Sequence, residues 1–104
     1  MATVKAFFLL PRKDNDGRDL TTEIDEVEHE VFIRFDGWTR EGSVTGTFRM
    51  PDGSQKVDVS ERYMVFLEES RLGELEQILK DFKGKTSQEA IYLEIQRDAE
   101  IRLI

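Results

Sequence analysis

His29 is the chain's sole histidine, and it stands between Glu28 and Glu30. An imidazole works as a general base when a nucleophile or a carboxylate is held against it. Its sequence neighbours do not do this. At 3.6 residues per turn, Glu28 and Glu30 diverge by about 200° around a helix. His29 also lies off the apolar stripe of its segment and reads as a solvent-facing helix residue. No catalytic set assembles from the sequence, so no catalytic residue is assigned. Metal binding needs converging ligands. One His, no Cys and scattered carboxylates provide none, and no metal site is expected. Asp14, Asp16 and Asp19 hint at a calcium loop, but the EF-hand spacing fails: Arg18 and Asp19 stand where a fifth-position ligand and a sixth-position glycine are required. This stretch reads as a solvated turn. Neither G-x-G-x-x-G nor G-x-x-x-x-G-K-[ST] occurs, and no cofactor is assigned.

A small polar pocket is the remaining chemical reading. Trp38 and Thr39 follow the end of the first helical segment, while Gln88 and Glu89 open the last strand-like one. In one reading Trp38 plugs the core and Gln88 bonds loop backbone. In the other, Trp38, Gln88 and Glu89 rim a pocket beside Arg40 and Tyr63. An uncharged amide beside aromatic rings suits a small polar ligand.

Charge narrows the classes. Fifteen Lys and Arg against 22 Asp and Glu give a net charge of −7 over 104 residues. Nucleic-acid binding relies on a basic surface that displaces phosphate counterions, so no nucleic acid is expected. The same sign works against anionic membranes, and no apolar run nears the ~18 residues that span a bilayer. The absence of cysteine excludes a disulfide framework. With no signal-like N-terminus, a cytoplasmic location is expected.

The elements that would position these residues follow from hydrophobic period. Thr3 to Leu10 alternates and then turns apolar on both faces at Phe7-Phe8-Leu9-Leu10, the mark of a strand buried on both sides. Arg12 to Asp19 is a polar loop. Thr21 to Phe35 carries Leu20, Ile24, Val27, Val31 and Phe35 at spacings of three and four, which predicts a helix capped by Thr21 or Thr22 and ended by Gly37. Trp38 to Met50 alternates as a strand, with Trp38, Val44, Phe48 and Met50 on one parity. Pro51-Asp52-Gly53 turns it into a hairpin with Ser54 to Glu68. That return strand is apolar on both faces at Tyr63 to Leu67, with a bulge expected near Glu61. Ser70 to Phe82 is a second helix, capped by Ser70, with Leu72, Leu75, Ile78, Leu79 and Phe82 as its stripe. Ser87 to Ile95 is the last strand, and Glu100 to Ile104 a short extra strand or a tail.

The order β-α-β-β-α-β predicts one α+β domain over residues 1–104, a ferredoxin-like sandwich with two helices on one face of a four-stranded antiparallel sheet. Strands one and three are central there, and they are the two with double-sided apolar stretches. The helices cover one face only. The other would carry Phe7, Leu9 and either Met64 with Phe66 or Tyr63 with Val65 and Leu67. The latter set, with Phe7 and Leu9, is assigned to a homodimer interface, sheet against sheet. A ligand or a different protein is the alternative cover.

The segments Phe35-Asp36-Gly37-Trp38-Thr39, Gly46-Thr47-Phe48, Ser60 to Phe66 and Gln88-Glu89-Ala90-Ile91 together resemble a group of small, uncharacterised bacterial proteins. That group carries F-x-G-[LW]-T after the first helix, a G-x-W strand, and Q-E-[SA]-[VI] at the last strand. Here Phe48 replaces the usual Trp. The resemblance implies the ferredoxin-like fold and no activity. The functional expectation is a non-enzymatic homodimeric binding or interaction module. Its alternatives are an acidic inhibitor or nucleic-acid mimic with a continuous row of carboxylates, and a small dimeric α+β barrel enzyme with a pocket between facing sheets.

Overall fold

In the computed structural model, which describes residues 2–104, strand β1 (Thr3–Pro11) leads into helix α1 (Thr21–Phe35). Strands β2 (Thr39–Arg49) and β3 (Gln55–Glu68) form a hairpin. A 3-10 turn at Glu69–Arg71 enters helix α2 (Leu72–Lys85), and strand β4 (Leu93–Gln96) closes the order. All ladders are antiparallel, in the spatial order β2-β3-β1-β4. This is the ferredoxin-like α+β sandwich, with β1 and β3 central. No helix among the described residues is long and apolar enough to cross a membrane.

Register fixes the two faces. β1 and β3 pair as Val4↔Leu67, Ala6↔Val65, Phe8↔Tyr63 and Leu10↔Glu61. Paired residues share a face, so Tyr63, Val65 and Leu67 join Val4, Ala6 and Phe8 beneath the helices. There they meet Ile24, Val27 and Val31 of α1 and Leu75, Ile78, Leu79 and Phe82 of α2 in one core. Tyr63, Val65 and Leu67 are therefore interior residues and do not line the open face assigned to a dimer contact. That face carries the other parity: Lys5, Phe7 and Leu9 on β1, with Arg62, Met64 and Phe66 on β3.

Several boundaries differ from the sequence reading, each for a local reason. No Thr caps α1; its N-cap is Leu20, and Asp19 Oδ1 instead accepts the Thr21 N–H at 2.7 Å. Asp36, not Gly37, turns left-handed at the C-terminus (φ 66°), its N–H bonding Phe32 O. Ser70 sits in the 3-10 turn and gives α2 no side-chain cap. The bulge falls at Glu41, between the pairs Arg40↔Tyr63 and Gly42↔Arg62. The extra residue reverses parity, so Trp38 and Arg40 lie on the helix side while Val44 and Phe48 lie on the open side. The last strand is four residues long rather than nine, and residues 97–104 form no strand.

The β2–β3 hairpin runs on past the end of β1, whose ladder stops at Pro11↔Ser60. Residues 43–59 thus form an arm that neither helix covers. Val57 and Val59 are 56% and 42% exposed there.

Candidate functional site

Two groups of side chains separate on the two faces. The first gathers on the helix side, at the β2 edge. Trp38, Arg40 and Tyr63 come together with Glu28 of α1. Tyr63 is 1% exposed, stacked on Phe8 at 5.3 Å with the Trp38 ring edge-on at 5.6 Å. Its hydroxyl donates to Glu28 Oε2, which also accepts from Arg40 Nη2. Arg40 Nε donates to the Tyr63 hydroxyl oxygen at 3.3 Å, and Trp38 Nε1 donates to the Glu28 carbonyl at 3.0 Å. Burial, reinforced by the Glu28 carboxylate, pushes the Tyr63 phenol well above its ordinary value. The bond to Glu28, and then that to Tyr63, holds the Arg40 guanidinium charged beyond its ordinary range. These polar atoms satisfy one another and tie α1 to the β2–β3 pair. The cluster is a structural knot. His29, one residue on, is exposed.

The second group lies on the open face. Beyond β4, residues 88–92 continue alongside β1, held by Leu9 N–H donating to Tyr92 O at 3.3 Å. They and the hairpin arm flank a groove of about 400 Å³. Leu9 and Pro11 of β1 and Ser60 and Arg62 of β3 floor it. Val44, Gly46 and Phe48 form one wall with Asp58, and Gln88, Ala90, Ile91 and Tyr92 the other. The Phe48 ring folds back across Gly46, where an added Cβ would stand 3.0 Å from Phe48 Cε2. Glycine there is what lets the ring lie along the strand and face the groove.

One end of the groove is charged and held rigidly. The Arg62 guanidinium lies 4.5 Å over the Phe7 ring, its Nε donating to Glu41 Oε1 at 2.9 Å and its Nη2 lying 3.7 Å from Glu94 Oε1. Tyr92 donates its hydroxyl to the same Glu94 oxygen at 2.9 Å. That bond holds the Glu94 carboxyl below, and the Tyr92 phenol above, their ordinary values. Lys5 Nζ approaches Phe7 at 5.3 Å. Phe7 is 5% exposed beneath the chain's own cations, while Phe66 on the same face is 38% exposed.

Of the predicted pocket residues, the structure joins Trp38, Arg40 and Tyr63 in the knot and puts Gln88 on the opposite face, in the groove. Glu89 is exposed and lines neither. The groove residues that sequence reasoning missed are Phe48, Asp58 and Tyr92. Only Gly46-x-Phe48, a glycine two residues before an aromatic on one strand face, carried a signal. A wider hollow of about 610 Å³ lies between the 12–19 loop and the arm, lined by Arg12, Lys13, Lys56, Ile24, Val57 and three aspartates among others. None of its lining residues is aromatic. Two of those aspartates, Asp14 and Asp19, are already engaged by the backbone amides of Asp16, Arg18 and Thr21. The smaller groove has Phe48 and Tyr92 among its lining residues.

No protein family and no curated protein matches the chain. Among solved structures, the fold is similar to one described as a phage SAM lyase in complex with S-methyl-5′-thioadenosine. The TM-score is 0.65 at 16% identity, over 92% of this chain and 81% of that one. The likeness establishes the fold. It also corrects the expectation of a non-enzymatic homodimeric binding module, which rested on the missing catalytic set and the double-sided apolar strands, because the same arrangement carries a lyase in the structure it matches. The acidic-mimic alternative gives way too: along the helices Glu26, Glu30 and Glu74 are matched by Lys85 and Arg34, which interrupts any row of carboxylates. The barrel alternative placed its pocket between facing sheets, whereas this groove is built by one chain.

Proposed function

We propose that this chain is an enzyme that binds a sulfonium nucleoside, S-adenosylmethionine or a close relative, in the open-face groove and breaks a carbon–sulfur bond. The observation that carries the reading is the groove itself: aromatic and apolar walls with one carboxylate, Asp58, and one clamped guanidinium, Arg62. Its volume falls within the range of small-molecule sites. The fold likeness to a lyase of that name supports it.

The chemistry fits the lining. A sulfonium needs no acid to make it leave: the electron pair of the broken S–C bond goes to a sulfur that is already positive, while the substrate's own carboxylate oxygen bonds to the carbon it leaves and closes a lactone. The reaction discharges a cation to a neutral thioether. An apolar setting disfavours the charged ground state more than a transition state in which that charge is fading. Phe48 and Tyr92 offer faces for the base and for the cation. Asp58 suits the ribose hydroxyls or the sulfonium, and Arg62 the substrate carboxylate. Arg62 is held by Glu41 and Glu94, so it meets that carboxylate with little loss of side-chain freedom.

Isothermal titration with S-methyl-5′-thioadenosine tests the site. Saturable one-to-one binding is expected, weakened about tenfold or more in Phe48→Ala and in Tyr92→Ala, as loss of a base–aromatic stack implies. Equal binding by wild type and both variants would remove the groove from the account.

A further inference from the structure

The end of α2 fixes Gln88 in an unusual way. Thr86 closes the helix with its N–H and its hydroxyl both donating to Phe82 O, at 3.0 and 2.7 Å. Ser87 then turns left-handed, with φ 54°. This conformation is costly for a residue with a side chain and persists where its surroundings hold it. Gln88 N–H reaches back to Lys83 O at 3.1 Å. The backbone that carries the Gln88 side chain is therefore pinned at its own N–H and at the two residues before it, and the side chain enters the groove wall from that root.

The amide at its tip is incomplete. Gln88 Nε2 is buried and meets no hydrogen-bond acceptor among the described residues. A buried amide donor left unpaired costs free energy on the order of a hydrogen bond, and such groups are rare unless a water or a ligand atom completes them. Ala90, Ile91, Leu9 and Pro11 beside it carry no side-chain acceptor. Gln88 also lines the groove, so turning its amide toward a molecule seated there supplies the missing partner.

We infer that Gln88 reads the edge of a 6-aminopurine held between Phe48 and Tyr92, and so sets the groove's preference for adenine nucleosides over 6-oxopurine ones. This rests on the nucleoside reading of the groove given above. A carboxamide matches adenine in a bidentate fashion: its N–H₂ donates to N7 and its carbonyl accepts from the 6-amino group. A 6-oxopurine presents acceptors at both of those positions, so one end of the amide always faces a like group. An inward donor on a pinned root is suited to the first base and mismatched to the second.

The test uses two probes, S-methyl-5′-thioadenosine and its 6-oxo counterpart S-methyl-5′-thioinosine, titrated into the full chain and into Gln88→Leu and Gln88→Glu. Wild type should prefer the adenine probe by about tenfold or more, the scale of one bidentate contact. Gln88→Leu, which keeps neither donor nor acceptor, should lose that preference while binding the inosine probe as before. Gln88→Glu, which keeps the acceptor and lacks the donor, should fall between. Circular dichroism and thermal melts verify that each variant folds. Equal binding of both probes by wild type, or a preference that survives Gln88→Leu, overturns the assignment and leaves the nucleoside groove standing. No binding of either probe by wild type overturns both.

Discussion

The Tyr63 hydroxyl joins three elements through Glu28 and Arg40, and the sequence could not say whether these side chains form a tie or a binding site. Geometry separates the two. Tyr63→Phe removes a buried donor and frees a partly buried carboxylate, at an expected cost of about 1–2 kcal/mol in urea unfolding. Affinity for S-methyl-5′-thioadenosine should be unchanged, because the groove lies on the other face; a loss of affinity at unchanged stability would return Tyr63 to a site role. The same residue predicts an alkaline limit. In the unfolded chain its phenol loses a proton near the ordinary value of 10.0, while in the fold it holds the proton to higher pH. The native state then binds more protons above pH 10, so its stability is complete below that value and falls as pH rises beyond it. Unfolding curves from pH 8 to 11 should show the decline in wild type and a shallower one in Tyr63→Phe.

Among the elements, the hairpin decides where the groove lies. Its wall depends on Phe48 lying flat over Gly46, so Gly46→Ala should push the ring outward. An affinity loss of about fivefold, with unfolding stability changed by no more than about 1 kcal/mol at this uncovered arm, is the expected result; calorimetric titration beside a urea curve measures both. Much of this layer was readable from period. The stripe Ile24, Val27, Val31 located α1 to the residue, and the double-sided apolar runs in β1 and β3 placed both at the centre of the sheet. The site was less readable. One inserted residue at Glu41 reverses the parity of β2 and sends Trp38 and Phe48 to opposite faces, and a bulge leaves no mark in a pattern already interrupted by Gly42 and Gly46. The stretch 88–92 has the alternation of a strand without a ladder, because pairing with β1 stops at Phe8↔Leu93 and continues as the single bond from Leu9 N–H to Tyr92 O. Tyr63, Val65 and Leu67 were assigned to the wrong face for a related reason: a strand apolar on both sides gives no clue to which parity the helices cover.

The whole molecule measures 47 × 26 × 23 Å with a radius of gyration of 14.6 Å, above the ~13 Å of a compact 100-residue domain. The uncovered arm of residues 43–59 runs past the end of β1. Self-association, expected from the open sheet face, is a question for this arm as well, where Val57 and Val59 stand in solvent. Light scattering after size exclusion should give a mass above the 12.1 kDa of one chain. Val57→Ser with Val59→Ser should lower it; a wild-type monomer at all concentrations rejects the arm as a contact.

Turnover of S-adenosylmethionine is the decisive test of the proposed carbon–sulfur cleavage. Purified chain is incubated with S-adenosylmethionine, and the products are separated by reversed-phase chromatography with mass detection. The account predicts S-methyl-5′-thioadenosine accumulating over many turnovers, well above the buffer blank, and its loss in a folded Phe48→Ala, Tyr92→Ala double variant. Recovery of intact S-adenosylmethionine from a folded wild-type chain that binds it would contradict the account.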